Sequence, residues 1–326
     1  MKNRRRLLGA AFALCAWPLG SSAQPAAAPV RIGWLTAQRP PIFGPYLRAF
    51  RDALADRGYV EGRNLRIEFR FGDDDVRHVP ALAAELVQSG IDLLVVQGAA
   101  VYAVSRLDLK VPIVYVYSGD PVLAGVAASL ARPGRNMTGL TFMAADLNGK
   151  RLELLVEMVP ALRRVALVAN PEHPGERDER SVSEAAARNL GVAVQYEAVR
   201  NRQELEAALA RLAAAPPQAL LLFADAFAVQ NRERIIAFGM QHRAPVVSGW
   251  PVFAESGALC TFGPRLVDSY RRLGGYADQV LRGARPAELP IEQPTTFETV
   301  INLRTADALG LRVPETTLLS ADRVIR

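Results

Sequence analysis

The chain has 326 residues, half of them hydrophobic and 22% charged, with 39 Lys and Arg against 33 Asp and Glu. That length suffices for two cores of roughly 130 residues each, and two cysteines cannot build a disulfide framework. Four cations (Lys2, Arg4, Arg5 and Arg6) sit at the extreme start; without them the formal +6 becomes +2, and no basic stripe for nucleic acid remains.

The basic start is followed by an apolar stretch, Leu7 to Leu19, too short to span a bilayer, and by the small residues Ser21-Ser22-Ala23. Residues 1–23 therefore read as an export signal, of the Sec type or, from Arg4-Arg5-Arg6-Leu7-Leu8, the twin-arginine type. Cys15 follows Leu14, where a lipid-acceptor cysteine needs a small neighbour, so no lipid anchor is expected. After an Ala/Pro tether at 24–29, the mature chain is expected to be soluble in the periplasm, without membrane insertion.

The first strand, Arg31 to Leu35, leads into a polar loop with Thr36 and Gln38. Tyr46, Phe50, Ala53 and Leu54 then share one helical face, and Gly58 closes that helix. Leu65 to Phe71 alternates as a strand, Asp73-Asp74-Asp75 is a solvated turn, and a helix runs from Val79 to Ser89. Asp92 to Val96 is a short apolar run, the mark of a strand buried on both faces. Gly98-Ala99-Ala100 opens the next helix, Val111 to Val116 is a strand, and Ser118-Gly119-Asp120-Pro121 is read as starting a helix that ends near Pro133.

The same rhythm then returns. Strand Val165 to Ala169 ends at Asn170, helix Asp178 to Leu190 stops at Gly191, and strand Val192 to Glu197 leads to helix Arg202 to Ala214. Buried strand Ala219 to Phe223 ends at Asp225; helix Asn231 to His242 and strand Val246 to Gly249 follow, ending at Trp250. Arg31 aligns with Arg164, Gly58 with Gly191 and Pro112 with Pro245, all at one offset. A tandem β/α pattern of this kind predicts two Rossmann-like α/β lobes with parallel sheets, joined by a hinge. Residues 30–141 with about 265–290 are assigned to lobe 1, and 142–264 with about 291–326 to lobe 2, the tail recrossing the hinge.

Phosphate-cradling glycine loops, the G-x-S-x-G elbow and metal-ligand spacings are missing, and His78, His173 and His242 stand singly. No cofactor and no metal are expected, and nothing asks for catalysis. Ligands of open α/β sheets bind beyond the carboxyl ends of the strands. The candidates there are Thr36, Gln38, Gly98, Ala99, Ala100, Ser118, Asp120, Asn170, Asp225, Trp250 and Glu255, with Asn136 and Thr138 near the lobe crossover.

Several stretches carry a resemblance. They are Gly58-Tyr59-Val60-Glu61-Gly62-Arg63-Asn64, Asp120-Pro121-Val122, the run Ala128 to Gly134, and Asn136-Met137-Thr138-Gly139-Leu140. Lys150 to Leu155, Leu289 to Thr295, Val300 to Leu303 and Ala308 to Leu311 complete the set. Together they resemble the ABC-transporter substrate-binding proteins with the type I periplasmic-binding (Venus-flytrap) fold, over Arg31 to Arg326. The resemblance implies a monomer that binds a small solute, an amino acid or related zwitterion, and works with an inner-membrane ABC permease. It also implies an acidic ligand contact at Asp225, although Ala226 stands where the family often has Asn.

Each candidate also has a structural reading. Gly98 to Ala100 are either backbone donors for a carboxylate or a plain strand-to-helix turn. Asp120 is a ligand contact or a helix cap, and Asn136 and Thr138 are contacts or hinge turns. Asp225 meets a ligand ammonium or a structural partner; Trp250 is a cleft wall or core, and Glu255 reads first as a surface carboxylate. The rivals to solute capture are a secreted two-lobe enzyme with a carboxylate pair and a sensing module for a membrane signalling partner.

Overall fold

The computed structural model describes residues 28–40, 44–142, 145–173 and 175–326; the expected signal at 1–23 and the start of the tether lie outside the described residues. The first half runs β1 (Val30–Thr36), α1 (Gly44–Ala55), β2 (Leu65–Phe71), α2 (Val79–Gln88), β3 (Leu93–Gln97), α3 (Ala100–Ser105), β4 (Ile113–Tyr117) and β5 (Met137–Thr141). The second half begins α4 (Ala145–Met158), β6 (Arg164–Ala169), α5 (Glu176–Asn189), β7 (Ala193–Ala198), α6 (Arg202–Ala214), β8 (Ala219–Leu222), α7 (Ala226–Gln230), α8 (Arg232–Gln241) and β9 (Val246–Ser248). It ends α9 (Pro251–Glu255), β10 (Cys260–Pro264), α10 (Leu266–Leu281), β11 (Phe297–Asn302), α11 (Leu303–Leu309), α12 (Glu315–Leu319) and β12 (Arg323–Ile325).

Two sheets result, ordered β2-β1-β3-β4-β5 and β7-β6-β8-β9-β10-β11-β12. Their leading strands follow the same doubly wound order, which is the structural counterpart of the sequence repeat. The apolar runs of β3, β4 and β8 are buried throughout, as central parallel strands flanked by helices on both faces must be. Gly58 (φ 93°) and Gly191 (φ 69°), aligned by the repeat, both occupy the left-handed region behind a helix.

The second sheet is mixed, where parallel sheets were expected: β11 lies antiparallel to β10 and parallel to β12. The reason is the route of the chain. After β10 it leaves for α10, which packs on α1 of the first lobe, and it returns only through 289–296. It re-enters beside the first connection, where Thr141 N–H donates to Glu292 O at 2.9 Å. A strand arriving from the opposite lobe runs against its neighbour rather than with it.

Two further expectations change. The helix expected after Asp120 is a series of turns, with Val126 N–H donating to Pro121 O at 2.8 Å and Gly125 at φ 69° ending the first winding. The strand β5 was not expected, because its central Gly139 weakens strand propensity. Here glycine is required: at φ 150°, a Cβ would lie 2.0 Å from the Tyr115 carbonyl oxygen of the paired strand.

Candidate functional site

A cavity of about 380 Å³ opens where the strand ends of the two lobes face each other. Its size falls within the roughly 300–1,000 Å³ typical of small-molecule sites. From lobe 1 come Gln38 after β1, Gln97 to Ala99 at β3, and Val116 to Ser118 at β4. Asn170 and His173 after β6, Asp225 after β8 and Trp250 after β9 come from lobe 2. Aromatic and apolar side chains fill one end: Tyr46 from α1, Leu266 and Tyr270 from α10, and Phe142. Tyr46 stacks on Tyr270 at 5.4 Å between centroids, and Trp250 packs against the cores of both lobes.

The lobes touch across this cavity. Gln230 Nε2 of α7 donates to Asp74 Oδ1 at 2.8 Å. Gly175, at φ 90°, brings its backbone so near that a Cβ would lie 2.9 Å from the Gly119 Cα. Two contacts therefore bridge the lobes beside the cavity.

Not every residue expected at the site reaches it. Thr36 is 1% exposed, and its hydroxyl accepts from Gln38 N–H at 3.2 Å, so it is part of the β1 turn. The Gly98 amide is not free for a carboxylate, since it donates to Val116 O at 2.9 Å. Among the described residues no carbonyl accepts from the Ala99 and Ala100 amides at the start of α3, though the Ala100 side chain is buried in the lobe 1 core. Asp120 caps its own turn, accepting from Val122 and Leu123 N–H at 2.7 and 3.1 Å.

Asn136 and Thr138 are structural as well. The Asn136 amide donates to Leu109 O and Val111 O at 2.6 and 2.8 Å, and the Thr138 hydroxyl donates to Leu289 O at 2.8 Å, tying β5 to the returning segment. Glu255 pairs with Arg323 at 2.7 Å on the surface. Gln38, Gly98, Ala99, Ser118, Asn170, Asp225 and Trp250 do line the cavity.

Asp225 serves two ends at once. It caps α7, accepting from Ala228 N–H at 2.6 Å, while lining the cavity with only 7% of its surface exposed. Burial lifts its carboxyl above the ordinary value, against the charge of His173, the Ala228 amide and the Asn170 side chain. A desolvated acid of this kind gains most from an added cation.

A family model described as ABC transporter substrate binding protein matches residues 46–325. The chain belongs to that family. A tyrosine-binding protein of Clostridioides difficile (strain R20291) is 24% identical over 279 residues, which is 85% of this chain and 78% of that protein. The ABC domain from Streptococcus pneumonia solved in complex with L-Trp is 23% identical, with a TM-score of 0.84 over 91% of this chain and 100% of that one. The ligand-free, open structure of a substrate binding protein from Clostridium difficile is 20% identical, with a TM-score of 0.66 over 91% of this chain and 99% of that one.

Sequence reasoning missed one element of this substrate-binding protein entirely. His173, read as a solitary histidine, is the visible end of a buried chain of side chains. Its Nε2 lies 3.0 Å from Glu179 Oε1, and Glu179 Oε2 accepts from Asn148 at 3.2 Å. Asn148 accepts from the Arg151 guanidinium, whose Nε donates to Phe262 O at 2.8 Å. The spacing of Arg151 and Glu179 to α4 and α5 carries no local signal. Only the packing of those helices brings the groups together.

Burial pulls the His173 imidazole down, but the hydrogen bond and charge of Glu179, helped by Asp225 and Glu176, carry it above its ordinary value. A histidine raised by folding contributes stability that is complete below its unfolded value of about 6.5 and lost as pH rises through the folded value. Urea unfolding from about pH 6 to pH 9 should thus show declining stability in the native protein and a flatter profile in His173→Asn. A native profile no steeper than the variant's would show that His173 does not carry that charge.

Proposed function

We propose that this protein captures an amino acid with an apolar, aromatic side chain outside the inner membrane and delivers it to an ABC permease by closing its two lobes on the ligand. The observation that carries the reading is the division of partners across the cleft. Asp225, a desolvated carboxylate, stands on lobe 2, and the Ala99 and Ala100 amides stand on lobe 1. The first suits an ammonium and the second a carboxylate. Trp250 and the Tyr46–Tyr270 stack supply walls for a flat side chain. The L-Trp and tyrosine ligands of the relatives support the same class of solute.

A zwitterion that holds both walls favours the closed arrangement, because it gains its second set of contacts only there. The Gln230–Asp74 bond and the Gly175–Gly119 approach are contacts of that closed state. No bond is made or broken in this cycle; the export signal read at 1–23 supports a periplasmic setting, in which the protein acts as a monomer that docks on the permease. Calorimetric titration with a panel of L-amino acids tests the reading: saturable binding of aromatic members at micromolar concentration is expected. Absence of heat with every amino acid at millimolar concentration would overturn it.

A further inference from the structure

The side chains of β3 alternate between two cores. Leu93 and Val95 lie with Trp34 and Tyr270 under α1 and α10, whereas Leu94 and Val96 lie with the residues beneath α2 and α3. Gln97, the last residue of β3, falls on the α1–α10 side. It lines the apolar end of the cavity, shared with Tyr46, Val116, Phe142, Leu266 and Tyr270. The residue is 9% exposed, and its buried Oε1 meets no donor among the described residues. A buried amide oxygen without a partner is costly, and native cores rarely keep one without a use.

We propose that Gln97 is a specificity-determining residue of the cleft: its Oε1 accepts a hydrogen bond from a donor on the ligand's aromatic side chain, favouring a phenol O–H or indole N–H over a plain phenyl ring. The inference rests on the amino-acid reading above. Ammonium capture by Gln97 is the poorer use of this oxygen. A neutral amide among aromatic rings does not compensate a full charge, whereas the Asp225 carboxylate on the opposite lobe does. A site built around a polar partner also rejects the analogue that lacks it more strongly than an apolar pocket rejects a missing methylene.

The test is calorimetry with L-Tyr, L-Trp, L-Phe, 4-fluoro-L-phenylalanine and L-Leu on the native protein and on Gln97→Met. On the native protein, L-Tyr or L-Trp should bind roughly 5- to 150-fold tighter than L-Phe and its fluorinated isostere. In Gln97→Met that gap should close, through weaker binding of the donor-bearing ligands, tighter binding of L-Phe once no amide oxygen is left unpaired, or both. The native panel reads the preference even if the variant does not fold. Equal native affinity for L-Tyr, L-Trp, L-Phe and 4-fluoro-L-phenylalanine, or equal loss for all ligands in the variant, would overturn the role of Gln97. Binding of L-Leu without any aromatic preference would do the same while leaving amino-acid capture standing; no binding by any member would sink both.

Discussion

Replacing Glu179 by Gln should cost about 3–5 kcal/mol of stability. Glu179 is 1% exposed and, among the described residues, is the acid hydrogen-bonded to His173. Burial pulls the Arg151 guanidinium down to about 10, and the charge of Glu179 opposes that fall. Without the carboxylate, Arg151 keeps its charge in a site where 1% of its surface reaches solvent. His173 loses its main reason to be protonated. Gln fills the same volume and can still accept one hydrogen bond, so the measured loss isolates the charge. Urea unfolding followed by circular dichroism at neutral pH is the measurement. A loss below about 1 kcal/mol would mean that Arg151 is compensated elsewhere, for example by the Phe262 carbonyl it already meets.

Asp225→Asn should separate binding from folding. Asn is as good an N-cap as Asp, so the bond to Ala228 N–H can persist and stability should change by less than about 1 kcal/mol. The charge disappears, and truncating one member of a buried charge pair costs about 2–5 kcal/mol of binding, or roughly 30- to 5,000-fold in Kd. Native affinity should also depend on pH with a definite sign. The carboxyl is raised by burial, so as pH falls through its folded value it takes up a proton and the ligand ammonium loses its counter-charge. Affinity therefore weakens toward acid, and binding near that value releases protons, visible as a calorimetric heat that varies with buffer ionisation enthalpy. In Asp225→Asn that buffer dependence should vanish. An unchanged Kd in the variant would remove Asp225 from the ligand's contacts.

The two predictions bear on residues of different legibility. Asp225 was visible because a carboxylate after a wholly apolar run has few places to go. Glu179 was not visible, since it lies within a helix of ordinary polarity and its partners come from α4 and from the loop after β6. The aromatic end of the cleft was half visible. Tyr46 was read as lying on the packed face of a helix, but nothing local shows that α1 and α10 meet above β3 or that Tyr46 stacks there on Tyr270. Asp120, Asn136 and Thr138 do not line the cavity, and they share a physical reason: each has a short polar side chain beside backbone groups that need partners, and nearby carbonyls and amides bond to it.

Local pattern alone determined the duplicated β/α rhythm, the strands buried on both faces, the glycines that close equivalent helices, and the strand ends where the cavity opens. Those features depend on periodicity and backbone freedom, which are properties of short stretches. The tertiary structure decided which strand-end side chains face the cavity, the reversal of β11, the buried Arg151–Asn148–Glu179–His173 chain and the unpartnered oxygen of Gln97. These depend on contacts between segments tens to hundreds of residues apart, and on the direction a side chain takes at a turn. No nearest-neighbour preference encodes either.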